Sequence, residues 1–182
     1  MNVLQRMISI LDPINEYLGR AIATLALALA AIVFAIVALR YGFNTSNQWL
    51  SESMIYVHGM LFMLGMGYTL RHDGHVRVDV LSRHFSARGV AWRELFGTIF
   101  LLFPVSLFLF MMSIDYVAAS WSIHEGSMEP GGIPYLYLLK TLLIIMPILL
   151  MIQGLTEALR AIEILRQHHP DLPDHADARE GV

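Results

Sequence analysis

The feature that most constrains this chain is an uninterrupted apolar segment, Ala21–Leu39, which contains no charged or carboxamide side chain. At about 1.5 Å per helical residue it reaches roughly 28 Å, close to the ~30 Å hydrocarbon thickness of a bilayer. Asp12 and Glu16 precede it, and it is longer than the apolar region of a usual signal peptide. The segment therefore predicts an uncleaved membrane-spanning helix.

The composition extends this prediction to the whole chain. Hydrophobic residues make up 56% of the 182 residues and charged residues 15%, with a mean hydropathy of +0.57. Such a chain has too little polar surface to enclose a water-soluble core. It contains no cysteine, which excludes disulfides, thiolate metal sites and cysteine nucleophiles. We therefore expect one integral membrane domain with short tails.

Three further apolar stretches predict three more spans, at about Ser53–Leu70, between Glu94 and Asp115, and at about Pro134–Thr156. They are too long and too uniformly apolar for barrel strands, so we expect an all-α membrane protein with four transmembrane helices. The predicted divisions are an interfacial N-terminal helix over residues 1–12, a four-helix transmembrane domain over 13–166 and a disordered cytoplasmic tail over 167–182.

The arginines predict the orientation of the four spans. Ten of the 12 basic residues flank the first span's start, connect the second and third spans, or follow the fourth. They are Arg6, Arg20, Arg71, Arg77, Arg83, Arg88, Arg93, Arg160, Arg166 and Arg179. Because basic loops stay in the cytoplasm, both termini are predicted to be cytoplasmic.

Local signals predict where helices begin and bend. Asp12 followed by Pro13 reads as the N-cap and first position of the first membrane helix. The preceding apolar residues share one helical face, which predicts an interfacial helix, with a frayed terminus as the alternative. They are Leu4, Met7, Ile8 and Leu11.

Similar signals mark the later spans. Ser86 is a candidate cap for the third helix, and Pro134 fits the first turn of the fourth. Pro104 and Pro147 lie inside spans, where each removes a backbone donor and is expected to bend its helix.

Histidines and an aspartate after the second span raise the question of a metal site. His72, His75 and Asp79 offer three ligands, but Arg71 and Arg77 are interleaved and no fourth ligand is evident. We therefore predict no metal site. Instead, Gly74 allows a tight turn, the arginines lie at anionic headgroups, and residues 78–85 form a short amphipathic helix on the membrane surface.

Within the second span, His58 is predicted to be a neutral, hydrogen-bonded packing residue, because haem ligation would need a second axial ligand on a facing helix. Gly59, Gly65 and Gly67 predict a close helix contact. Glu52 and Lys140 lie near span ends, and a contact between them is left open.

The loop before the fourth span, SWSIHEGSMEPGGIP, has two interpretations. It is either a solvated hairpin or a docking surface for a periplasmic partner, with Glu125 and Glu129 offered to basic groups. No phosphate-binding loop, nucleophile elbow, metalloprotease helix or intramembrane proton relay is found. We therefore expect neither an enzyme nor a cofactor site in this chain.

Four features occur in order along the chain: GHVRVDVL after the second span, SWSIHEGSMEPGGIP before the fourth, Lys140 near the start of that span and IQGLTEALR at its end. In order and placement they resemble the small, DctQ-like membrane subunit of tripartite ATP-independent periplasmic (TRAP) transporters, over roughly Trp49 to Arg160. Met54 to Tyr56 lack the basic residue that the family often has after the glutamate, so no ion-pair role is carried over to Glu52.

The resemblance implies a scaffold subunit that supports a secondary transporter without catalysing a reaction. Its implied partners are a large DctM-like membrane subunit, which carries the sodium and substrate sites, a periplasmic DctP-like substrate-binding protein, and membrane lipids, with no nucleic acid. The candidate partner or lipid contacts are Glu52, Gly65, Gly74, His75, Arg77, Asp79, Glu125, Glu129 and Lys140. The alternative is a haem- or quinone-binding anchor of an electron-transfer complex, because of His58 and the helix-end histidines.

Overall fold

The computed structural model describes residues 3–72, Gly74 and residues 86–167, and this part of the chain is helical apart from its connections. The elements are α1 (Val3–Gly42), α2 (Gln48–Arg71), α3 (Ala87–Gly97), a π-helical segment (Thr98–Leu102), α4 (Phe103–Ser122) and α5 (Leu136–Gln167). The prediction of an all-α fold is confirmed for these residues.

Four helices are long and apolar enough to cross a membrane, as predicted. They are Leu4–Gly42, Gln48–Arg71, Ala87–Ser122 and Leu136–Arg166, the third of which joins α3, the π-helical segment and α4 into one rod. Their outward surfaces are largely apolar, with Leu27, Phe34, Phe108 and Met112 among the exposed side chains. Acyl chains cover such side chains without the cost that water would impose.

The central helix of the bundle is α5. It packs against α1, α2, α3, the π-helical segment and α4, and α1 also packs against α2. Many of the buried residues belong to α5, including Leu149, Gln153, Thr156 and Ala161. Helices α1 and α4 therefore lie on the outside of the bundle against α5, and we call them the wall helices. Most residues of the span Ala21–Leu39 belong to the outer surface of α1.

The predicted start of the first membrane helix at Asp12 is wrong, because α1 is continuous from Val3 and contains Pro13 inside it. Asp12 serves another purpose, since its carboxylate forms ion pairs with Arg71 at 2.9 Å and Arg160 at 2.7 Å. These tertiary contacts hold the helix across a proline that costs one backbone hydrogen bond. The interfacial position of residues 1–12 stays a prediction.

Other helix ends follow local chemistry. The Ser86 hydroxyl accepts a hydrogen bond from the Gly89 N–H at 3.3 Å, which confirms the predicted cap of α3. Pro134 lies outside α5, which begins at Leu136. The loop therefore extends beyond Pro134. The Tyr137 N–H in the first turn of α5 donates to the Glu125 carbonyl at 3.2 Å, and this hydrogen bond ties the start of the helix to the loop.

The π-helical segment lies immediately before Pro104. The Phe103 N–H donates to the carbonyl of Thr98, five residues earlier, and Pro104 has no N–H to offer the Phe100 carbonyl. One widened turn accommodates this missing donor, so the irregularity at Pro104 takes the form of a π-bulge. Pro147 lies buried inside α5.

Candidate functional site

Polar side chains gather at the two ends of the bundle. We call the end with the loop between α4 and α5, residues 123–135, the loop end. The opposite end, where α2 and α5 finish, is called the terminal end. Both clusters are built from residues that are distant in sequence.

At the loop end, Glu52 of α2 binds the loop. Its Oε2 accepts a hydrogen bond from the Ile133 N–H at 2.6 Å, and its Oε1 accepts the Ser127 hydroxyl. A Cβ at Gly132 would collide with both Glu52 and Ser127, so only glycine allows this close approach. We call this arrangement the Glu52 latch, and it fastens the loop to α2.

Lys140 makes the second connection at the loop end. Its Nζ lies 2.5 Å from Oε2 of Glu125 and 4.2 Å from the centre of the Tyr116 ring. The hydrogen bond from Lys140 holds the pKa of the Glu125 carboxyl below its ordinary value. Lys140 therefore pairs with Glu125, whereas Glu52 binds Ser127 and Ile133. The contact between Glu52 and Lys140 that the sequence left open is not formed.

Aromatic side chains complete the packing of the loop end. The indole N–H of Trp121 donates to the Thr141 hydroxyl at 2.9 Å, and its ring meets the Tyr137 ring edge-on at 4.7 Å. His124, with a positive φ of 47°, also contacts the Tyr137 ring. These contacts tie the end of α4 and the start of the loop to α5, while most residues of the loop are exposed.

The two acidic residues predicted for a docking surface have different surroundings. Glu125 turns inward to Lys140, while Glu129 lies on the exposed surface next to Met128, whose side chain is 96% exposed. The loop therefore presents the Glu129 carboxylate outward together with apolar side chains, of which Met128 and Ile123 are the most exposed.

At the terminal end, two carboxylates of α1 meet two arginines. Asp12 pairs with Arg71 and Arg160, as described above, and Glu16 pairs with Arg71 at 2.7 Å. His72 lies 3.4 Å from Glu16 and contacts the Tyr68 ring. These pairs join α1, α2 and α5, so the histidine at the end of α2 takes part in a helix contact.

A chain of carboxamides continues this cluster into the bundle. The fully buried Asn15 donates to Gln153 at 3.1 Å and to the Leu149 carbonyl at 3.3 Å. Gln153 donates in turn to Glu157 at 2.8 Å. Sequence reasoning did not identify Asn15 or Gln153, although a carboxamide inside a predicted span was a signal for a buried polar contact.

The glycines of α2 differ in their surroundings. A Cβ at Gly67 would collide with the Asn15 carboxamide, and one at Gly59 would lie 3.0 Å from Leu139, whereas nothing lies within 4 Å of that position at Gly65. The predicted close approach is therefore confirmed at Gly67 and Gly59. Gly65 faces open space.

Two of the remaining predictions fall at or after the end of α2. The Gly74 N–H donates to the Thr69 carbonyl at 2.9 Å, as expected for a glycine that closes a helix. His75, Arg77, Asp79 and the amphipathic segment 78–85 lie outside the described residues. Within the described residues, no group of three or more His, Cys, Asp or Glu is arranged to hold a metal ion.

His58 differs from its prediction. Its side chain is exposed on the outward side of α2, and its ring stacks on Phe62 at 6.2 Å between centroids. Because α2 turns its other sides to α1 and α5, the predicted hydrogen bond and packing of His58 are not found among the described residues.

An apolar cleft of about 400 Å³ separates α2 from the π-helical segment and α5 near the terminal end. Met66, Leu70, Leu102 and Gly154 line it. Glu94, Thr98, Ser106 and Glu157 also line it, so the cleft is mostly apolar with a few polar residues.

Four helices that are long and apolar enough to cross a membrane, joined by polar contacts between them, define a multi-pass membrane protein. A family model described as the DctQ component of tripartite ATP-independent periplasmic transporters matches residues 29–164, well over half of the chain. The chain belongs to the DctQ family and is a small membrane subunit of a TRAP transporter. The family is one of transporter subunits and not of enzymes, and this membership disfavours the electron-transfer anchor. No individually curated protein and no solved structure matches the chain.

Proposed function

We propose that this chain is the fixed scaffold subunit of a sodium-coupled TRAP uptake system for an organic solute. It supports a large subunit that carries the sodium and substrate sites, and it receives a periplasmic substrate-binding protein at the loop end. The observation that carries this proposal is the use of buried polar groups, such as Asn15 and Gln153, in contacts between helices of the chain itself. Groups bound in this way do not offer a path for a solute.

The proposed orientation places the loop end in the periplasm and the terminal end in the cytoplasm. Arg71, Arg93 and Arg160 belong to the terminal ends of α2, α3 and α5. Concentrated arginine next to spans is typical of the cytoplasmic side. The loop end carries Glu125 and Glu129 and is the side open to a periplasmic protein.

The Glu52 latch and the Lys140–Glu125 pair support the docking role. Both connections hold the loop in one conformation before any partner arrives. A preordered surface loses less conformational entropy on association than a flexible one. The exposed Glu129 offers a carboxylate to a basic group of the binding protein.

A cross-linking experiment tests the docking role, and the absence of native cysteine makes it direct. We expect Met128→Cys, labelled with a photoreactive maleimide, to capture the binding protein in membranes that carry out uptake. Ile10→Cys, which lies at the terminal end, is the control and is expected to give no capture. Uptake without capture from position 128 or from a second loop position, Ile123→Cys, would contradict docking at the loop end.

A further inference from the structure

Helix α2 has an outward stripe that no other part of the described chain covers. Ile55, His58 and Phe62 are exposed along it, and Gly65 follows with open space next to it. Their spacing of three, four and three residues places them on one face of the helix. Phe62 projects from this face, and Gly65 leaves a notch one turn further on.

The depth of His58 makes the stripe unusual. Along the helix axis it lies about 15 Å from Gln48 and about 20 Å from Arg71, the two ends of the span. Its imidazole has an N–H donor and a ring-nitrogen acceptor, its ring stacks on the Phe62 ring, and no other described residue forms a hydrogen bond or ion pair with it. Acyl chains satisfy neither group, so lipid is an unfavourable neighbour for this side chain.

The outward faces of the two wall helices provide the comparison. Leu27 and Phe34 of α1 and Phe108 and Met112 of α4 are exposed and apolar. Two hydroxyl groups on these helices are satisfied locally, since Thr24 donates to the Ala21 carbonyl and Ser113 to the Leu109 carbonyl. Lipid therefore suits these walls.

Asp115 of α4 is also exposed, but it lies only about 10 Å along the axis from the last residue of that helix, Ser122. This position lies nearer to the headgroup region than the middle of a span does. His58, by contrast, lies near the middle of its span.

We propose that the stripe Ile55, His58, Phe62 and Gly65 is the contact surface for a transmembrane helix of the large membrane subunit. That helix supplies a hydrogen-bonding group to the His58 imidazole and approaches closely at Gly65, where small residues allow backbones to pack. The inference rests on the proposed function and adds the face and the intramembrane hydrogen bond to it.

Photo-cross-linking tests the face with a matched pair of positions. Phe62 is 59% exposed and Phe108 is 61% exposed, and each lies about 21 Å along its helix from the loop end. We compare two labelled variants of the full chain in its complex with the large membrane subunit. They are Phe62→Cys and Phe108→Cys, each labelled with benzophenone maleimide. We expect an adduct with the large subunit from position 62 and none from position 108.

The outcomes separate the inference from the proposed function. If the unsubstituted chain does not co-purify with the large subunit, the scaffold function itself fails and the inference falls with it. If the two co-purify but the adduct forms from position 108 alone, or from neither position, the scaffold function stands and the α2 contact is wrong.

Substitution of His58 tests the hydrogen bond. We expect His58→Leu to raise the apparent dissociation constant of the complex in nanodiscs roughly threefold to tenfold, and His58→Gln to recover most of the loss. The melting temperature of the chain alone is the control and is expected not to fall, because leucine suits lipid. Unchanged or tighter association of His58→Leu would overturn the proposed hydrogen bond.

Discussion

At the scale of single residues, the contact between Gly67 and Asn15 connects the packing of α1 and α2 with the polar chain in the bundle. The Asn15 carboxamide lies where a Cβ at position 67 would be. The same carboxamide donates to Gln153 and to the Leu149 carbonyl of α5. One missing methyl group therefore allows a three-helix contact.

We expect Gly67→Ala to displace the Asn15 side chain and to lower the free energy of unfolding of the chain by about 1–3 kcal/mol. The measurement is denaturant unfolding in detergent micelles. Gly65→Ala is the matched control on the same helix, and it is expected to be neutral or to stabilise slightly because its Cβ meets open space. Equal stability of the two variants would argue against the contact.

Residue-scale chemistry also shows which features could be predicted from sequence. The Ser86 cap was predictable because the signal is local, within four residues of the helix start. The purpose of Asp12 was not, because its partner Arg160 is 148 residues away. An Asp followed by a Pro is typical of a helix start. Here the helix continues through the proline, and the tertiary ion pairs that support it are visible only in the folded structure.

At the scale of elements, the loop of residues 123–135 is held by one connection to α2 and one to α5. The second connection depends on pH because it needs the Glu125 carboxylate. The pKa of Glu125 is lowered in the folded protein, so its contribution to stability is fully present above the ordinary carboxyl pKa of about 4.5. It is lost as the pH falls through the lowered folded value.

We therefore expect Glu125→Gln to lower the melting temperature of the chain at pH 7, and the difference from the unsubstituted chain to shrink below about pH 4.5. Thermal melts followed by tryptophan fluorescence between pH 7 and pH 3 measure it. The neighbouring exposed acid provides the control, as Glu129→Gln is expected to have little effect. A difference that does not change with pH would mean that the carboxylate charge is unimportant.

Elements were predicted better than their connections. The four apolar stretches each predicted a span because hydropathy is a property of a continuous segment. The Glu52 latch was not predictable, since Glu52 and Ile133 are 81 residues apart and one partner is a backbone N–H. Every residue except proline has a backbone N–H, so the residue type at this position does not indicate the hydrogen bond.

At the scale of the whole molecule, the four helices of the described residues that are long enough to span a membrane are expected to leave Val3 and Gln167 on the same side of it. Labelling of single cysteines with a membrane-impermeant maleimide tests which side this is. In intact spheroplasts we expect Ile123→Cys to react and Ile10→Cys to react only after the membrane is opened, because the arginine-rich end is predicted to be cytoplasmic. The reverse pattern would invert the proposed topology and remove the loop from the periplasm.

The two connections of the loop also decide how the bundle responds to mechanical load. A protein seated on the loop and pulled sideways would transmit its force through Glu52 into α2 and through Lys140 into α5. Because α5 packs on every other helix of the described bundle, the load would spread over the whole subunit.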